Sequence, residues 1–306
     1  MTAAKTATTT SRKQPATAAR RRDRNPADRV STGGRIAAMS VLIVLAAYFL
    51  VPVYWLVVAA TKSQGDLSTT SGFWFSTIHL FDNLTTLFTR SDGIFVRWAI
   101  NSVIYAAGGA LIGTFLSAIT GYALAKFRFR GREFLFSVIL GGVLVPSTAL
   151  ALPLFLMFAA VGGVNTYWAV ILPSIVSPFG VYLARVFTTA AVPDEILESA
   201  RMDGAGEFRI FFQVALKLLA PSVVTIFLFQ FIGIWNNFFL PQVMLQSQNL
   251  YPITLGLFNW NAATDRYADL QESVITGSFV SIIPLVLVFL LLQRYWKVGL
   301  AAGSLN

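Results

Sequence analysis

A chain of 306 residues that is 56% hydrophobic and only 12% charged cannot clothe a water-soluble surface of its own size, which excludes an ordinary globular enzyme. With no cysteine and a single histidine, His79, it lacks the means for disulfides, thiolate nucleophiles or a histidine-based metal cluster, and no cofactor is expected. The formal charge of +9 comes without a Gly-x-x-x-x-Gly-Lys-[Ser/Thr] loop, so the chain binds no ATP through a P-loop of its own.

Residues 1–35 are rich in Thr, Ala, Arg and Lys and almost lack large apolar side chains. Such a segment cannot bury enough surface to offset its ordering entropy, so a disordered basic tail on the cytoplasmic side is expected. No aromatic residue interleaves its basic run, which argues against nucleic acid as a partner.

Beyond the tail lie six stretches free of Asp, Glu, Lys and Arg: 36–60, 98–124, 134–161, 166–184, 218–245 and 274–292. A helix rises about 1.5 Å per residue, so roughly 20 apolar residues cross a hydrocarbon core of about 30 Å. The expected fold class is all-α, a polytopic membrane protein with six transmembrane helices. The first stretch exceeds the apolar region of a secretory signal, so it reads as an uncleaved membrane helix.

The segment 61–97 carries Phe73, Trp74 and Phe75, then Leu80, Leu84, Leu87 and Phe88 at a spacing that suits a short interfacial helix. In the second stretch Gly109, Gly113, Ser117 and Gly121 step by four, giving a smooth ridge. That ridge serves either close packing inside one subunit or a seam between subunits. Prolines at 146, 153, 173, 178, 241 and 284 are expected to kink the later spans. The amides Gln230, Asn236 and Asn237, beside Trp235, Phe238 and Phe239, could line a route for a hydroxyl-rich solute; hydrogen bonding between helices is the equal alternative.

Charge placement gives the topology. With six spans, nineteen of the 23 Lys and Arg residues fall on the side of the N-terminus and four on the other. Both termini are therefore expected in the cytoplasm, with anionic membrane lipid a secondary attraction for the basic excess. All 14 acidic residues lie outside the spans, so no titratable carboxylate sits at membrane depth. That argues against a stand-alone secondary carrier or channel drawing on an ion gradient, and leaves little equipment for an intramembrane enzyme.

The loop 192–217 is too structured for a connector. Pro193 followed by Asp194 and Glu195 marks a helix start in the first turn, and Gly204 is where that helix can stop. Phe208, Phe211, Phe212, Ala215 and Leu216 then recur at helical spacing, predicting a second, amphipathic helix packed beneath the bundle. The first helix would be presented to solvent, as a docking device or as a capped interfacial loop.

These residues carry a resemblance. Glu198-Ser199-Ala200, Gly204, Val214 and Leu216 resemble the E-A-A…G…I-x-L-P signature of ATP-binding cassette (ABC) importer permeases, and Asp203-Gly204-Ala205 is similar to the D-G-A of their carbohydrate branch. Ser199 replaces the middle alanine and Lys217 the final proline, with Pro221 left to mark the junction to the fifth span. The likeness extends to Asn101-Ser102, to 121–132, to 235–241 and to 293–300, covering about residues 36–300.

The resemblance implies a type I importer permease fold in a bacterial plasma membrane. It maps the chain as a tail (1–35), a first helix with external segment (36–97), a permease core (98–293) and a cytoplasmic C-terminal tail (294–306). It also implies that 193–204 is a coupling helix, with Glu198, Ser199, Ala200, Asp203, Gly204 and Ala205 docking on an ATPase. The implied partners are a second homologous permease, two ATP-binding cassette subunits and an extracytoplasmic solute-binding protein, met partly through 246–272. The implied solute is a sugar or oligosaccharide.

Overall fold

The computed structural model describes the backbone of residues 32–302 and side chains from 32 to 295. The expected disorder of 1–31 lies outside the described residues. The chain divides into two compact units, residues 1–51 and 52–306. The first contributes most of α1 (Thr32–Ala60), an apolar helix that includes residues 32–35, assigned from sequence to the tail.

In the second unit, α2 (Gln64–Thr69) and α3 (Leu80–Val103) precede a π-helical turn, Ile104–Gly108, that runs into α4 (Gly109–Lys126). Then come α5 (Arg132–Gly141), α6 (Ala151–Ala160), α7 (Tyr167–Ser174), α8 (Pro178–Ala191) and α9 (Asp194–Met202). After α10 (Glu207–Ile210), a second π turn at Phe211–Ala215 leads through α11 (Leu216–Leu218) to α12 (Ala220–Trp235). The chain continues with α13 (Phe239–Met244), α14 (Ile253–Ala262) and α15 (Leu270–Ala302). Helix α15 runs on through 294–302, which the sequence assigned to a tail.

Among the described residues, four helical runs are long and apolar enough to cross a membrane: Thr32–Ala60, Leu80–Lys126, Tyr167–Ala191 and Leu270–Tyr295. The pair Glu207–Leu218 and Ala220–Trp235 meets the same measure only when its two pieces are taken together across an 80° bend beside Pro221. The stretch 134–161, expected as one helix, is two ten-residue helices separated by a 3-10 turn and an open segment. Pro146 explains the break, since a residue before proline is pushed out of the helical region and Val145 is extended. Pro153, Pro178 and Pro241 fall in the first turn of α6, α8 and α13, where the missing N–H costs nothing. They start helices and do not kink them.

The segment before α3 is folded rather than merely interfacial. Lys62 is buried, its ammonium donating to Thr70 Oγ1 (2.8 Å) and Ser71 O (2.5 Å). Asn83 donates to Ala60 O and Lys62 O, and Leu87 lies in the core, so the helix beginning at Leu80 packs inward. It breaks at Ser91–Gly93, where three residues take positive φ.

Helix α4 is the axis of the unit, packed along α8 and α12. Its ridge residues Gly109, Gly113, Ser117 and Gly121 are all buried. A Cβ on Gly121 would collide with Ala184 and the Arg185 backbone, and one on Gly113 with Gln230 and Ile175 O. The four-residue step therefore serves close packing inside the subunit.

Candidate functional site

The loop after α8 forms a rigid foot. Pro193 sits at the cap position with extended backbone, just outside α9 rather than in its first turn. Asp194 and Glu195 then occupy the first turn, where the helix dipole favours negative charge. At the other end Gly204 takes φ +82°, Gly204 N–H donates to Arg201 O (2.9 Å) and Ala205 N–H to Ala200 O (3.0 Å). This is the paired hydrogen bonding of a Schellman stop, which satisfies carbonyls the helix end would otherwise leave open. Arg201 then bridges to Glu207 at 2.7 Å, tying α9 to α10, and that bond raises the Arg201 pKa further.

Of the candidate docking residues, Glu198, Ser199, Asp203 and Gly204 are exposed, while Ala200 and Ala205 are half-buried against the foot's core. Ser199 Oγ donates to Glu195 O, an intrahelical bond that leaves no extra bulk. Glu198 takes no ion pair among the described residues. Met202 (88% exposed) and Phe208 (83% exposed) stand beside this surface. Neither was among the residues the sequence singled out for docking.

The second helix of the loop differs from its expected face. Ile210, Phe211, Ala215 and Leu219 are the buried residues, whereas Phe208 and Phe212 are exposed. The π turn at Phe211–Ala215 inserts a residue into the helical repeat and rotates the side chains that follow it, setting Ala215 and Leu219 inward; Phe208 lies before the turn, exposed on α10. Ile210, Phe211 and Ala215 pack with Val192, Leu197 and Tyr122 in one cluster, and Tyr122 lies 5.2 Å from the Phe211 ring.

What fixes the foot to the bundle is Lys126, at the end of α4, whose role the sequence did not reveal. Its ammonium, with the side chain only 8% exposed, donates to Val192 O and Asp194 Oδ1, both at 2.6 Å. The hydrogen bond from Lys126, with its charge, holds the Asp194 carboxyl below the usual aspartate range. A second tie joins α5 to α8: Arg185 bonds Glu133 at 2.6 Å and stacks over Phe136. Hydrogen bonding from Arg185, and then from Arg132, lowers the Glu133 pKa. A signal did exist, since Lys126 is the first charge after a long uncharged run.

The three amides proposed for a solute route do not converge. Asn236 is exposed. Asn237 borders a crevice with Ser102, Tyr105, Ser174 and Trp235, and its Oδ1 accepts Leu240 N–H. Gln230 is buried in the seam between Gly113 and Gly180, donating to Ser117 Oγ at 3.4 Å with its Oε1 unpaired. Among the described residues no cluster of His, Asp or Glu could hold a metal ion.

Comparison with known proteins bears on this arrangement. Residues 109–297 match the family described as "Binding-protein-dependent transport system inner membrane component". The chain is 31% identical to the arabinooligosaccharides transport system permease protein AraQ of Bacillus subtilis (strain 168), over 89% of this chain and 96% of the relative. It is 32% identical to the lactose transport system permease protein LacG of Rhizobium radiobacter, over 87% of this chain and 94% of that one. Among solved structures it is similar to a chain of a bacterial ABC transporter involved in the import of the acidic polysaccharide alginate. There the TM-score is 0.73 at 22% identity, covering 87% of this chain and 99% of that one, a likeness of fold.

Proposed function

Because this chain belongs to the family of binding-protein-dependent transport system inner membrane components, we propose that it forms one half of the translocation path of an ATP-driven importer for a sugar or oligosaccharide. The chain itself does no bond chemistry. Its partners on this reading are a second homologous permease, two ATP-binding cassette subunits and an extracytoplasmic solute-binding protein. Both termini and the foot lie in the cytoplasm.

The observation that carries the reading is the foot itself: a nine-residue helix, stopped by Gly204, backed by its own apolar core and bolted to α4 through Lys126. Such a body passes force on without melting. ATP binding would draw the ATPase subunits together, carrying Glu198, Ser199, Ala200, Asp203, Gly204 and Ala205 in their groove. Lys126 and the continuous chain from α9 back into α8 would then deliver the displacement to the α4–α8 pair, and rigid-body rotation would open the path. Asn236 and Asn237 offer neutral hydrogen bonds to hydroxyls along that path, and Gln230 would join them only as its seam parts. The sugar assignment rests on what the relatives carry.

The experiment is co-purification from native membranes followed by uptake in proteoliposomes. Recovery of an ATP-binding subunit, and uptake that requires it, are the expected results. Uptake by the chain alone without a nucleotide hydrolase would overturn the proposal in favour of a stand-alone carrier.

A further inference from the structure

The segment between α13 and α14 is held in an unusual way. Trp98 Nε1 donates to Gln248 O (2.9 Å), Asn101 Nδ2 to Asn249 O (2.8 Å) and Tyr251 O (3.0 Å), and Tyr105 Oη to Leu250 O (2.9 Å). Four consecutive carbonyls are thus taken by side chains of one helical run. Ser102 Oγ accepts Ile253 N–H (2.7 Å), closing the same grip one step further on. Positions 98, 101, 102 and 105 fall on one face of a helix, and all four side chains are buried. From the other side Asn165 Oδ1 accepts the amides of Gln246 and Ser247, both at 2.9 Å.

Every one of these bonds reaches the backbone of the loop. Its backbone is therefore held from both sides while Leu250 and Tyr251 pack inward, and Gln246, Gln248 and Asn249 are left exposed. An apolar surface would hold a loop in place more cheaply, whereas a fully bonded polar network fixes one orientation. Asn101 spends both of its N–H donors here, and its Oδ1 accepts from Tyr167 Oη at 2.7 Å. Tyr167 opens α7, which leads through α8 to the foot.

We infer that Trp98, Asn101, Ser102 and Tyr105 are positioning residues that pre-form 246–251 as the surface on which the extracytoplasmic binding protein docks, its amide side chains making the contact. This rests on the importer reading above. Binding to a loop already ordered avoids the entropy of ordering it, so the grip should appear in affinity for the docking protein rather than in turnover.

The test uses the whole transporter in nanodiscs, titrated with the solute-binding protein recovered with it from native membranes. A nitroxide on Asn249→Cys reports loop mobility, which is selective because the chain has no cysteine of its own. Asn101→Leu should sharpen the nitroxide spectrum and raise the half-saturating binding-protein concentration about tenfold, with maximal stimulated hydrolysis changed less than about twofold. Tyr105→Phe keeps the ring, removes one bond and should shift half-saturation about threefold in the same direction, which guards against a variant that simply fails to fold. An immobile label in Asn101→Leu, or a mobile one with unchanged half-saturation, would overturn the inference while leaving the importer reading intact. A wild-type transporter whose hydrolysis ignores the binding protein would instead bring down the importer reading, and this inference with it.

Discussion

Gly204 separates two reasons for a glycine at a docking foot. Its φ of +82° is a conformation L-residues adopt only at a cost, yet a Cβ built there meets nothing within 4 Å. Within the chain, substitution is penalised by backbone conformation alone. Alanine in a left-handed pose costs about 1–2 kcal/mol, a factor of roughly 5–30 in the population with an intact stop. Asparagine is larger but visits that region more readily, and valine is worse than both. The expected order of function is Gly, Asn, Ala, Val. Hydrogen exchange at the Gly204 and Ala205 amides, which donate to Arg201 and Ala200, reads the stop directly; ATP-driven uptake in proteoliposomes reads its consequence. If asparagine proved worse than alanine, the glycine would be there to admit a partner surface, and the backbone argument would be wrong. Wild-type protection in the alanine variant would refute it outright.

Other perturbations test neighbouring parts of the same lever. Glu198→Lys should leave insertion and folding unchanged but abolish ATP-driven uptake; full uptake would remove Glu198 from the docking surface. Asp194→Asn should loosen the foot more than Lys126→Met, as read by protease cleavage within 192–206. The first leaves a nearly buried ammonium without its counter-charge, while the second leaves a carboxylate that water can reach. Gly121→Leu should cost about 1–3 kcal/mol or more, seen as a lower melting temperature in detergent, because α8 has no room to yield. Depressed carboxyl pKa values at Asp194 and Glu133 contribute stability above the unfolded carboxylate range and lose it as pH falls through the folded values. Coupling should thus be flat from neutral pH down to about 5 and fail only below about 4, in the ordinary range of free carboxylates. A midpoint near 6 would show that another group controls it.

Much of the fold could be read along the chain because membrane helices are written in consecutive residues. Uncharged runs gave the helices at 36–60, 98–124 and 274–292, and the punctuation of Asp194, Glu195 and Gly204 gave the foot, since dipole and left-handed stops are local. The four-step ridge on α4 pointed to close packing, although the sequence did not choose its partner. Where reading failed, the physics was non-local or sub-helical. A π turn of five residues, Phe211–Ala215, changed which side chains after it face the core without altering the spacing of apolar residues in the sequence. The proline before 147 split a stretch whose hydropathy is continuous.

The sequence by itself determined that this chain lives in a membrane and follows its fourth uncharged run with a capped, stiff foot, because charge, hydropathy and helix punctuation act over a few residues. Tertiary structure alone decided that Lys126 bolts the foot to α4 and that 98, 101, 102 and 105 grip a loop some 150 residues away. Those contacts join segments remote in sequence, and a buried ammonium or amide finds its acceptors only after the helices have packed.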